Sequence, residues 1–185
     1  MTERTRGTQS RLLSIAGLAW GLSFICAVLL YAIVRLFSVT IDAFENVPFL
    51  WYHWVSLAAV VLFMAHSEGY EGFQRNFSPR VVARAWYLYH NPRPVWLFLA
   101  PLFLAGYIHI NPDRRRNILL LTFGIVILIF LIRYLPQPWR GIVDAGVVVG
   151  LTWGLVSMAV YGIRMLGSRP FAYSPEIPGD SEVIQ

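Results

Sequence analysis

Apolar residues fall along this chain in five long runs, and only one short stretch between them shows a two-sided helical pattern. The first run, residues 12–34, is long enough at about 1.5 Å per residue to cross about 30 Å of hydrocarbon. Arg4, Arg6 and Arg11 precede it, as in a secretory signal. The run exceeds the usual length of about 7–15 residues, however, and no small-x-small cleavage site follows, so it reads as an uncleaved span behind a cytoplasmic arm of residues 1–11. Arg35 closes the run, where its head can snorkel to an interface. The connector carries Leu36, Phe37, Val39, Ile41 and Phe44 beside Asp42 and Glu45, and reads as a segment on the membrane surface.

The second run, residues 47–66, opens with Trp51, Tyr52, His53 and Trp54, an aromatic belt of the kind found at headgroup level. The third, residues 95–110, is short for a span and holds Pro101 near its centre. The fourth, residues 117–132, is almost entirely Leu, Ile, Val and Phe, and the fifth, residues 142–163, carries Asp144 near its start. The two-sided pattern lies at residues 79–89. Ser78 suits an N-cap and Pro79 a first helical position. Val81, Val82, Ala85, Trp86 and Tyr89 then recur at helical spacing, with Arg80 and Arg84 on another face, which predicts an interfacial amphipathic helix. Asn91-Pro92-Arg93-Pro94 stops it, and the proline- and acid-bearing tail, residues 168–185, reads as disordered.

The fold class that follows is an all-α integral membrane protein, a single transmembrane domain over residues 12–167 in a bundle of five hydrophobic segments. Two span counts stand open. With five spans and the N-terminus in the cytoplasm, nine arginines lie inside and six outside. If residues 95–110 dip in and return, leaving four spans plus a re-entrant segment, the split becomes twelve and three, which the positive-inside rule favours. Against that stands the need to cover irregular backbone with protein.

Composition supports the membrane reading. Of 185 residues 57% are hydrophobic and 14% charged, against about 45–50% and about 25% in soluble chains. A chain this short cannot enclose that much apolar surface, so the lipid bilayer of the cell membrane becomes its first partner. The net charge of +5 comes from arginines that flank apolar runs, a boundary pattern with no nucleic-acid surface in it. The single cysteine, Cys26, rules out an internal disulfide and reads as a small hydrophobe.

Candidate chemistry is sparse. His66, Glu68, Glu71 and His90 form the densest polar cluster, and these residue types bind zinc or iron. No His-x-x-x-His or Glu-x-x-His spacing is present, and Glu71 also suits an i,i+4 pair with Arg75. His53 and His109 would lie near the same face if the third run spans, in the manner of a haem ligand pair, although both also read as interface residues. Asp144 is the one acid placed within an apolar run, with Arg140 a turn earlier and Arg133 at the end of the fourth run as counter-ions. An ion pair joining the fourth and fifth helices is the plain reading.

The most specific signal is the ridge Gly146, Gly150 and Gly154, whose spacing lets another helix approach closely, whether from this chain or from another subunit. No phosphate loop, Gly-x-Ser-x-Gly elbow or His-Glu-x-x-His motif occurs. These features point first to a non-catalytic subunit or accessory protein of a membrane complex. The alternative is a metal- or haem-binding redox protein, and a small transporter or channel around Asp144 comes third.

Overall fold

With no glycine or proline between residues 22 and 46, nothing interrupts helix formation after the first apolar run, and helix α1 extends unbroken over Thr2–Asn46. The computed structural model describes residues 2–91, 94–110, 112–167 and 173, so the tail lies outside the described residues apart from Tyr173. The connector read as a surface segment is therefore the last part of α1. Charge at Asp42 and Glu45 does not end a helix, whereas Val47-Pro48 does.

Helix α2 spans Trp51–Met64 and continues without a break through a π-helical segment, Ala65–Phe77, into α3, Ser78–His90. This corrects the expected helix start at Ser78. Ser78 has helical backbone angles, φ −60° and ψ −46°, and its N–H donates to the carbonyl of Phe73, five residues back. Pro79 explains the widened turn, because a proline ring clashes with the carbonyl four residues before it and a π turn relieves that crowding. The third apolar run is not a continuous helix. It forms two five-residue helices, α4 (Pro94–Phe98) and α5 (Ala100–Leu104), broken at Leu99 with φ −91° and ψ 21° just before Pro101. α5 then closes in a Schellman motif. Gly106, at φ +86°, donates to Phe103 O and Tyr107 donates to Leu102 O, a conformation that needs glycine at the left-handed position. α6 (Pro112–Arg133) and α7 (Trp139–Leu166) follow.

Helices are the one regular secondary structure among the described residues, without strands, and three are long and apolar enough to cross a membrane: Ser14–Asn46, Arg114–Arg133 and Trp139–Met165. Neither the run 47–66 nor the run 95–110 is among them, and the latter is divided at Leu99.

The chain forms two compact units. The first comprises Met1–Ala27, Pro79–Ile118 and Val160–Gln185, the second Val28–Ser78 and Leu119–Ala159. The chain thus passes between them four times, and residues 79–118 never leave the first. In the first unit, Ser14, Gly17, Gly21 and Ile25 form the buried face of α1. Leu97 seats against Gly17, while a Cβ on Gly21 would lie 2.9 Å from Leu104 and 3.1 Å from Ala100. The glycines thus cut a notch that receives the broken segment. α3 is the most enclosed helix of this unit, with Val81, Val82, Ala83, Arg84, Ala85 and Leu88 all buried. Arg84, expected on an open polar face, is thus packed inside the unit, while Trp86 and His90 stay exposed.

In the second unit the α7 ridge packs on α2 and the π segment, and the end of α1 meets the start of α7. There the Gln137 side chain accepts from Gly141 N–H at 3.1 Å and donates to Val39 O at 3.4 Å. α6 differs from every other long helix. None of its most apolar 18-residue stretch is buried, against 39% for α7.

Candidate functional site

Arginine is costly to bury, yet Arg84 is only 2% exposed. Its neighbours Ala83 and Ala85 are small enough to let a second backbone come close. Nη1 donates to Phe103 O at 2.6 Å and to Ile108 O at 3.1 Å, and Nη2 donates to His109 O at 2.9 Å. The guanidinium also lies 4.9 Å from the centre of the Phe103 ring, which stacks on Tyr87 at 6.3 Å. The Ile108 and His109 carbonyls lie beyond the end of α5, and Phe103 O, which also accepts from Gly106 N–H, lies in its last turn. A planar fork with five donors, permanently charged, meets all three at once. His109, at φ +53°, supplies the return of the chain after the Schellman turn. Sequence pattern placed Arg84 on a polar face, and the Gly17-x-x-x-Gly21 spacing on α1 went unread although it was visible.

The second arrangement is the glycine ridge. A Cβ on Gly146 would fall 2.8 Å from Val60 Cγ1 and 2.9 Å from Met64 Cγ. On Gly150 it would fall 3.0 Å from Glu68 Cβ and 3.5 Å from Met64 O, and on Gly154 it would fall 2.6 Å from Phe73 Cδ1. The helix facing the ridge is this chain's own α2 and π segment. Beyond the glycines, Ser78 and Ser157 hydroxyls meet at 2.9 Å, and Trp153 Nε1 donates to Gln74 Oε1 at 2.7 Å. On the facing rod the contacts recur at 60, 64, 68/69, 73 and 78, stretching to about five residues, as expected of i→i+5 winding.

The remaining candidates are held locally. Asp144 is 3% exposed, and its Oδ2 lies 3.7 Å from Arg140 Nε without a hydrogen-bond partner. That pair is internal to α7, while Arg133 is exposed and takes no part, so the expected tie between the fourth and fifth helices is not made. Among the described residues no three His, Cys, Asp or Glu side chains come together as a metal site. Glu71 takes both carboxylate oxygens to Arg75 at 2.9 and 3.2 Å, His66 stacks on Tyr70, and His90 Nδ1 lies 2.9 Å from Trp86 O. Glu68 contributes its Cβ to the glycine contact. His53 is buried and its Nδ1 accepts from Leu50 N–H at 3.1 Å, capping α2 from the third helical position. His53 and His109 belong to different compact units. No family model, curated protein or solved structure matches the chain.

Proposed function

We propose that the protein is a four-pass membrane subunit, both termini in the cytoplasm, whose role is to assemble with a partner helix through α6. The observation that carries this reading is the contrast between α6 and the rest of the chain. The Gly146–Gly150–Gly154 ridge is filled by α2 and the π segment, and the Gly17–Gly21 notch is filled by α4 and α5. α6 buries none of its most apolar stretch, and a Cβ on Gly124 would meet nothing within 4 Å. In lipid, helices associate through close packing and not through apolar burial, so small residues and open faces mark where a partner can pack. The broken third run supports the four-span count. With it, twelve arginines lie on the cytoplasmic side and three on the other, as the positive-inside rule favours.

The test is a scan with a photo-crosslinking amino acid at each position from 119 to 131 in native membranes. We expect one discrete crosslinked species, recurring every three to four positions along one face of α6. Crosslinking to lipid alone at every position, together with a monomeric purified protein, would overturn the reading.

A further inference from the structure

We propose that Arg114, Arg115 and Arg116 form a collar that binds the phosphates of anionic phospholipids, rooting α6 in a negatively charged leaflet. The proposal rests on the membrane reading of α6 above. All three arginines are exposed within the first five residues of α6, and neither Arg115 nor Arg116 makes an ion pair among the described residues. Asp113 precedes them, leaving a net charge of +2 over residues 113–116 (three minus one). Cations at a helix start oppose the macrodipole, so this placement serves something other than the helix itself.

Geometry selects the partner. Consecutive residues turn by about 100° and rise about 1.5 Å, so three in a row splay over more than half the circumference within about 3 Å of height. Such a ring cannot converge on one small anion or lie along one acidic peptide, but it meets a layer of phosphates at a single depth. The apolar run begins two residues beyond Arg116, with Ile118 half-buried and Leu119, Leu120 and Leu121 exposed, which sets that depth at the headgroups. The collar is also held in place. The Gly106 turn lies against Ile118, and Arg84 fixes His109 three residues before α6 begins. Arg164, exposed near the end of α7, adds a further cation in the same unit.

The experiment uses full-length protein reconstituted in bilayers with spin-labelled phosphatidylglycerol or phosphatidylcholine, reading the motionally restricted fraction of each. We expect preference for phosphatidylglycerol at low salt, with a ceiling on the order of five-fold per arginine. The preference should vanish in about 1 M salt, where charges are screened within about 3 Å. The Arg114→Gln/Arg115→Gln/Arg116→Gln variant should lose it as well, while Arg133→Gln retains it. If the triple variant unfolds in detergent, the single Arg115→Gln and Arg116→Gln variants and the salt series on the parent decide. Unchanged selectivity in the variants overturns the collar. So does inorganic phosphate abolishing the preference beyond the effect of chloride at equal ionic strength, which would indicate a small-anion site. A protein that carbonate strips from native membranes refutes the membrane reading itself, whereas an inserted protein without lipid selectivity refutes only this inference.

Discussion

Replacing Gly150 by isoleucine tests the ridge at the point where backbone meets backbone. A Cβ there would lie 3.0 Å from Glu68 Cβ, which is exposed and can lean away. The two γ carbons of isoleucine have no such outlet. The atoms next in line are Met64 O at 3.5 Å and Gly69 N at 3.8 Å, both main chain, and they move only if the end of α2 and the π segment move. Overpacking of this kind costs about 1–3 kcal/mol, and replacing a helical glycine returns about 0.5 kcal/mol of propensity. The net loss of about 0.5–2.5 kcal/mol corresponds to a midpoint fall of about 1–10 °C for a chain of this size. Gly162→Ile is the matched control, since it lies on the same helix and a Cβ there meets nothing within 4 Å. Its midpoint should hold or rise slightly. Intrinsic fluorescence during heating in detergent reads both variants, and Trp153, which packs over Gly69, reports directly on this contact. Equal midpoints for Gly150→Ile and Gly162→Ile would refute the claim that backbone proximity holds the ridge.

Arg84→Leu strips a donor from three carbonyls at about 1–3 kcal/mol each, so hydrogen exchange at residues 100–110 should accelerate sharply. Arg84→Lys should rescue it only in part, because an ammonium lacks the fork, and unaltered exchange in the leucine variant would dismiss the clamp. In a Cys26→Ser background, single cysteines at Asn76 and Asp113 should both resist an impermeant thiol reagent in intact cells, while Glu45 and Gln137 should label. Labelling at 113 with protection at 76 would restore a fifth crossing. Asp144→Asn removes a buried charge whose one partner stands 3.7 Å away, and stability in detergent should stay level or rise. A loss above about 2 kcal/mol would mean that the carboxylate is held by more than Arg140.

Apolar runs located α6 and α7 to within a few residues, since uniform Leu, Ile, Val and Phe leaves a helix little choice. Boundaries elsewhere were misread for a common reason. Charges at Asp42 and Glu45, and the Ser78-Pro79 pair, look like punctuation, yet α1 runs through the first and a π turn carries the chain through the second. The ridge spacing was legible, but its occupant was not, because periodicity says which face a residue shares and nothing about what arrives there. Arg84 is the sharpest case. A helical wheel cannot separate a guanidinium facing headgroups from one facing carbonyls, since the carbonyls come from a segment some twenty residues later in the chain. For the histidines, sequence supplied residue types and depth. Their neighbours in the fold, Leu50 N–H for His53, Tyr70 for His66 and Trp86 O for His90, come from their own helices and turns.

The order of the parts around residues 94–110 also has a bearing on how the chain is made. Gly17 and Gly21 on α1 and Arg84 and Tyr87 on α3 all precede the broken segment. A chain growing from its N-terminus has the notch and the guanidinium in hand before Phe103, Ile108 and His109 are joined to it. The irregular backbone, the part most dependent on outside donors, never waits on sequence still inside the ribosome for its hydrogen bonds. A circular permutant opening at α4 would reverse that order and expose those carbonyls through most of synthesis.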